Sequence, residues 1–413
     1  MENLILQPPH GTKENTNKRL KSVASQSLIE DLPDEILSEI LYWLNTKLAF
    51  ETCLVSKRWY RLFHSLDFFF FTDAGVNCAE NRVDLLRFVN SVIFSPHYQH
   101  LPIKHFILDF QFQIWDADDH ITFNQWVEAA KRRRVSDLDL HLINVPLAPS
   151  IFCFKTLIKL RLIGISIGTL LHSSVDLPLL KSLYMHTVTF HNREDSMKLV
   201  SGCPQLKRLI AMFISVSNES VTAGYYKPLS NLFESAIWLF EVPFNAVYNV
   251  LCLGLLGLGR NVANIETSSY YKDFPVFGNL TELYLTWSYN ADLHEWDEVL
   301  KMLHNCPKLQ SLNIYKQSSP NKEDWKYPYQ VPQCLSSHLT KCDIQRYEPL
   351  EADFRFATYI LQNALHLQVM TIGVLRPEPT ESPHFVDDLF SSSRISPACQ
   401  LSISDLQLPD LVL

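Results

Sequence analysis

The sequence predicts an α/β chain: a three-helix unit near the N-terminus, then an irregular solenoid of parallel strands with helical or loop returns. Two observations carry this. Apolar residues between positions 32 and 66 recur at helical spacing, and a six-residue phrase, apolar-x-x-apolar-x-apolar, recurs through most of the remaining chain. Composition agrees with both. Of 413 residues, 47% are hydrophobic and 19% charged, the balance of a chain that buries a large core rather than one that stays unfolded.

Residues 1–27 are polar, with Pro8-Pro9 and Gly11, and are expected to form a flexible tail. Lys18-Arg19-Leu20-Lys21 reads as a solvated part of that tail rather than as a nuclear-import patch. Pro33 suits a first helical position, and Asp34 and Glu35 sit where the helix dipole favours acids. Ile36, Leu37, Ile40, Leu41 and Leu44 then share one face. Asn45-Thr46-Lys47 breaks the pattern, and a second short helix is predicted from about Leu48 to Leu54. Ser56 can cap a third, whose apolar side carries Trp59, Leu62, Phe63 and Leu66. A unit this small and this apolar is expected to use a partner's surface.

The order of these residues is more specific than their spacing. Leu28-Ile29-Glu30-Asp31-Leu32-Pro33-Asp34-Glu35-Ile36-Leu37, then Ile40-Leu41, then Leu54-Val55-Ser56-Lys57-Arg58-Trp59, resembles the F-box, over residues 28–68.

The array is placed at 75–320. Its phrase appears as Ile103/Phe106/Leu108, Val135/Leu138/Leu140, Leu157/Leu160/Leu162 and Leu180/Leu183/Met185. It returns as Leu280/Leu283/Leu285, Leu309/Leu312/Ile314, Leu339/Cys342/Ile344 and Leu367/Met370/Ile372. Neighbouring copies lie roughly 22 to 32 residues apart, the leucine-rich-repeat period. The last two apolar positions alternate on a short strand and point inward, so copies must stack to bury them. Helical stretches such as 123–134 and 293–303 lie between strands, whereas between 206 and 262 the phrase is blurred. Ala130 through Leu140, Ile151-Phe152, Lys155-Thr156-Leu157 and Asp176 through Leu183 are similar to a plant arrangement of F-box, repeats and FBD region. Val331-Pro332-Gln333-Cys334-Leu335-Ser336-Ser337-His338-Leu339, followed by Tyr359-Ile360-Leu361-Gln362-Asn363-Ala364, resembles the FBD, placed at 328–375. Residues 316–329 read as an excursion, and 376–413, rich in proline and with a serine run, as loop and tail.

Other chemistry finds little support. A net charge of -8 argues against general nucleic-acid binding. The longest apolar stretch, 246–259, is shorter than the ~20 residues of a membrane span. Nine scattered cysteines without a C-x-x-C pair, and no visible secretory signal, point to free thiols in the cytoplasm, the nucleus or both. Neither a metal nor a cofactor is expected. Gly164-Ile165-Ser166-Ile167-Gly168 fits the nucleophile elbow of hydrolases, but no helix or oxyanion loop accompanies it, and a repeat loop explains it better. Asp116 through His120 lacks the spacing of a calcium loop and reads as a solvated acidic loop. Lys131-Arg132-Arg133-Arg134 reads as a solvated helix end.

Resemblance to the F-box family implies a non-catalytic receptor of an SCF (Skp-cullin-F-box) ubiquitin ligase. Such a chain docks on a Skp-type adaptor, and through it on cullin and RING subunits, and holds a protein substrate. The alternative is an interaction scaffold without substrate turnover. By match to the motif, the adaptor face uses Leu32, Pro33, Ile36, Leu37, Ile40, Leu41, Leu44, Val55, Lys57 and Trp59, some of which must instead hold the helices together. Outward strand positions, expected to line a concave side, nominate Asp137, Asp139, His141, Lys159, Arg161, Tyr184, Glu282, Tyr284, Asn313 and Tyr315 for the substrate.

Overall fold

The computed structural model describes residues 29, 31–76, 78–96, 101–111, 117–218, 229–238, 241–258, 274–287, 295–316, 325–347, 350–374 and 384–405. The tail expected over 1–27, with its basic run, lies outside these. Three helices open the described chain: α1 (Asp34–Tyr42), α2 (Thr46–Thr52) and α3 (Lys57–His64). Asn45 caps α2, its side chain accepting the Leu48 N–H at 2.9 Å, so this helix starts before the expected Leu48. Ser56 holds the N-cap position of α3 without a side-chain capping bond.

The sheet begins at once, ahead of the expected residue 75. The chain runs β1 (Phe68–Thr72), α4 (Ala79–Ile93), β2 (His105–Asp109), α5 (Ala117–Arg132), β3 (Asp137–Leu147), β4 (Lys159–Ile167), β5 (Ser182–His186), β6 (Thr189–Phe190) and α6 (Arg193–Ser201). It continues through β7 (Arg208–Met212), β8 (Ser215–Val216), β9 (Glu234–Trp238), α7 (Phe244–Val247), β10 (Cys252–Leu258) and β11 (Glu282–Trp287). Next come α8 (Glu295–His304), β12 (Ser311–Lys316), α9 (Gln333–Ser337), β13 (Lys341–Tyr347), α10 (Glu351–Asn363), β14 (Val369–Val374), α11 (His384–Ser391) and β15 (Gln400–Asp405). Among the described residues these strands form one 15-stranded sheet, stacked in chain order with parallel neighbours; short β6 and β8 lie off the main path.

The repeated phrase explains this stacking. Leu138, Leu140, Leu160, Leu162, Leu183 and Met185 are buried in one core with their counterparts on β11 to β14, while alternate residues face the other side. In the blurred stretch the described residues place β7, β9 and β10 on the main path of the sheet and short β8 off it. The phrase fades because Ala211 and Ser235 replace leucine at inward positions; the Ser235 hydroxyl is satisfied by donating to Leu209 O at 3.1 Å.

A backbone device recurs at strand ends and at breaks within strands. Asn144, Gly164, Thr187, Phe213, Gly257 and Arg346 all take left-handed φ between 53° and 76°. The following residue then turns back inward, as buried Val145, Ile165, Val188 and Tyr347 do. At Gly164 a Cβ would fall 1.8 Å from Leu142 O, so glycine is required. Ser166 therefore lies inside β4, paired with Pro146 and Thr189, and not on the strand-to-helix turn that a nucleophile elbow needs.

Three sequence readings are corrected. The acidic segment expected to be a solvated loop is, from Ala117 onward, the start of α5, where Asp119 pairs with Arg82. The basic run is not wholly solvated: Arg133 is buried over the Phe69 ring at 5.1 Å and donates to Leu101 O at 3.0 Å. The region from 376, read as loop and tail, contains α11 and β15, because buried Leu389 and Cys399 extend the core by one more unit.

The C-terminal repeats are also joined by a buried ion pair. Lys316 takes an inward position at the end of β12, where the array otherwise places apolar side chains, and pairs with Asp353 in the first turn of α10. Trp296 Nε1 donates to the other Asp353 oxygen at 3.2 Å, and its ring stacks on Phe356 at 3.7 Å. Removing one ion strands the other. Asp353→Ala is expected to lower stability by about 3–5 kcal/mol in urea unfolding, and Lys316→Met with Asp353→Leu by clearly less. Equal losses would show that the pair is not the source of the effect.

Candidate functional site

Helix α1 is apolar on two sides. Leu37 and Leu41 are buried in the same core as Trp59, Leu62 and Phe63, so these residues of the expected adaptor face hold the helices to one another and to the sheet. The attachment is specific. Phe70 N–H donates to Thr46 Oγ1 at 2.8 Å, Tyr42 packs on Phe68 at 4.3 Å, and Phe50 meets the edges of Phe63 and Phe88, each at 5.6 Å. Leu37, Leu41 and Trp59 are therefore not available to a partner.

The other side stays open. Pro33, Ile36, Val55 and Lys57 are exposed, and Leu32, Ile40 and Leu44 are half-buried at the margin. Two residues not nominated from sequence dominate this surface: Trp43 is 79% exposed and Leu54 84%. Their signals were present. Ile36, Ile40 and Trp43 follow an i, i+4, i+7 pattern one step out of phase with Leu37, Leu41 and Leu44. Leu54 stands directly before Val55 in the turn between α2 and α3. Arg58 completes the arrangement. Its Nε donates to Asp34 Oδ1 at 2.6 Å and its Nη2 to Leu32 O at 2.5 Å, tying α3 to the Leu32-Pro33 segment.

All ten residues nominated for the substrate lie on the side of the sheet away from the core, and none is buried. They do not form one site. On β2 to β5 the charges answer each other: Asp137 stands 3.0 Å from His105 and 3.3 Å from Lys159, and His141 2.9 Å from Asp109. Arg161 lies 3.9 Å from Asp139 and stacks over Tyr184 at 4.4 Å. Burial pushes the Asp139 carboxyl up to about 6, opposed by Arg161 and His141. The second group is on β11 and β12. Glu282 accepts from the Tyr284 hydroxyl at 3.5 Å, Asn313 donates to Ser311 Oγ at 3.3 Å, and Tyr315 is half-buried nearby in the same register. Between the groups lie β7, β9 and β10, whose outward residues were missed because that stretch of repeats was not legible.

Comparison with known proteins matches three family models to this chain. A model of the F-box domain matches residues 29–71, and an FBD model matches 328–372. A third model, the LRR repeats of FBD-associated F-box protein At5g56370, matches 123–223. The chain is 24% identical to the Arabidopsis thaliana F-box/FBD/LRR-repeat protein At1g51370, over 94% of this chain and 98% of that one. It is 26% identical to At3g26920 of the same description and organism, over 94% and 99%. The Arabidopsis thaliana F-box/LRR-repeat protein At4g14103 is 34% identical over 46% of this chain and 51% of its own length. With an F-box, leucine-rich repeats and an FBD region set in that order along one parallel sheet, the chain has the organisation of the plant F-box/FBD/LRR-repeat proteins.

Proposed function

We propose that this chain is the substrate-recognition subunit of an SCF ubiquitin ligase, binding a Skp-type adaptor through the F-box and a protein substrate through the repeats. One observation supports this most: α1 and the turn after α2 hold Ile36, Trp43, Leu54 and Val55 open to solvent, while the opposite side of α1 is sealed into the core. Each such side chain, once covered, contributes about 1.5–3 kcal/mol, and water does not reward leaving four of them together. A helical, groove-shaped adaptor surface is the kind of cover they fit.

The chain's own contribution is then proximity. Cullin and RING subunits, reached through the adaptor, bring the conjugating enzyme that carries the thioester. The chain raises the effective concentration of a substrate lysine beside it. Packing of α1 to α3 onto β1 and α4 supports that role, since it fixes the adaptor side relative to the sheet face.

Two variants test the adaptor half. Leu54→Ala with Val55→Ala is expected to weaken binding of a purified Skp-type adaptor by thirtyfold or more in calorimetry, the effect of about 2 kcal/mol at a hot spot, with thermal stability unchanged. Undiminished affinity would remove the proposed face. Arg58→Ala is expected to weaken the adaptor by about tenfold, and Arg58→Lys to restore little, because a single ammonium does not reproduce the guanidinium's fork. Full rescue by lysine would show that only charge matters there.

A further inference from the structure

The sheet's solvent face changes character between Tyr184 and Tyr284. On β7, β9 and β10 the outward residues beyond the first row of Arg208, Glu234 and Cys252 are Ile210, Met212, Ala236, Trp238, Gly254 and Leu256, of which Ile210, Met212 and Leu256 are buried beneath the half-buried Tyr184, Ala236 and Trp238. Ile210, Met212 and Leu256 form a small apolar cluster separate from the main core, with Tyr184, Ala236 and Trp238 packed on it. In the same two rows β3 and β4 carry Asp139 and Arg161, then His141 and Ile163. Solvation alone explains the charged part and not the apolar part.

A row of rings crosses this ground. Tyr184 and His186 stack at 6.5 Å, His186 meets the edge of Phe213 at 5.1 Å, and Phe213 lies 4.5 Å from Trp238. Two backbone choices hold it. Phe213, just past β7, occupies the left-handed position, φ 56°, that Gly164 fills inside β4. A bulky residue there costs about 1–2 kcal/mol, and in return its ring stands 45% exposed within the row. Gly257, also left-handed, makes room for Trp238, since a Cβ would fall 2.8 Å from the ring's Nε1 and Cε2. The same turn lets Ile214 pack on the main core, and it sets the Phe213 ring within the row.

Charge narrows what this ground receives. Glu234 and Glu282 flank Cys252 in the outward row at the start of these strands. Arg208 holds Glu234 at 3.1 Å, whereas exposed Glu282 takes, among the described residues, only the Tyr284 hydroxyl. A carboxylate free beside an apolar patch complements a cation, and the chain's net charge of -8 acts in the same sense. Along the strands the rings stand two to four residues, about 7–13 Å, from the row of the glutamates, and Trp238 on β9 is also two strands, about 10 Å, across from Glu282 on β11.

We infer that this ground takes an extended segment of the substrate, with an apolar side chain on the Trp238 region and a lysine or arginine two to four residues away paired with Glu282. The inference rests on reading the repeats as the substrate receptor, and adds the chemistry of what they hold. A second copy of this chain and a small apolar molecule are the competing occupants.

Labelled synthetic peptides on one Gly-Ser frame test it, with Leu, Trp or Ser as anchor and Lys, Gln or Glu two and four residues to either side. They are titrated by fluorescence polarisation into the full chain, alone and with a Skp-type adaptor. Leu or Trp with Lys is expected to bind at least tenfold more tightly than Ser with Lys or Leu with Glu. Trp238→Ser is expected to erase the anchor preference, and Glu282→Lys to invert the charge preference toward Glu, which a folding defect cannot imitate. Binding of apolar peptides without regard to charge, a charge preference unmoved by Glu282→Lys, or self-association abolished by Trp238→Ser in sedimentation would each overturn the inference. Adaptor binding is read separately. Its failure removes the ligase reading while leaving the peptide result to decide the surface.

Discussion

Everything in this molecule depends on one helix having two apolar sides and only one neighbour. Through Leu37 and Leu41, α1 joins the core of the sheet; through Ile36 and Trp43 it faces water, with half-buried Ile40 at the margin. A surface helix of a self-sufficient domain carries a single apolar stripe. The second stripe has a thermodynamic use only if another molecule covers it, and Leu54 and Val55, in the turn after α2, are exposed as well.

The first stripe matters as much. Because α1, α2 and α3 share their core with β1, the N-terminal unit also closes the start of the parallel sheet, whose first strand would otherwise show Phe69 and Phe71 to solvent. A partner on the open side is thereby held in a set orientation to the sheet face, across which the character of the outward residues changes in three stages. Ion pairs that satisfy one another occupy β2 to β4, rings and aliphatics the middle, and uncharged polar groups with one uncommitted glutamate β11 and β12. At the far end, the Lys316–Asp353 pair locks consecutive repeats where the core has spent an inward position on charge.

Much of this was legible in the sequence alone, for physical reasons. Leucines at inward strand positions cannot be exchanged for polar residues without exposing the core, so the phrase stayed readable wherever it was intact, from Leu138 to Met185 and from Leu283 to Ile372. It failed where Ala211 and Ser235 stand in for leucine, and the aromatic ground over β7 to β10 was lost with it. The unit of α11 and β15 was missed because prolines and serines suggested loop, while its few anchors, Leu389 and Cys399, are too sparse to show a period. On α1, period alone grouped Ile36 with Leu37. Separating the side that packs from the side left open needs the position of β1 and α4, which no local pattern carries. Arg58 was visible only as part of a motif; its bonds to Asp34 and Leu32 span two turns of chain.

Hydroxyl-radical footprinting of the intact chain, with and without a Skp-type adaptor, bears most directly on the two-sided helix. Trp43 and Leu54 are expected to react readily in the free chain and to become protected in the complex, while Leu37 and Leu41 stay unreactive in both. A complex in which Trp43 and Leu54 remain as reactive as before, with protection appearing elsewhere, would contradict the assignment of the open stripe to the adaptor.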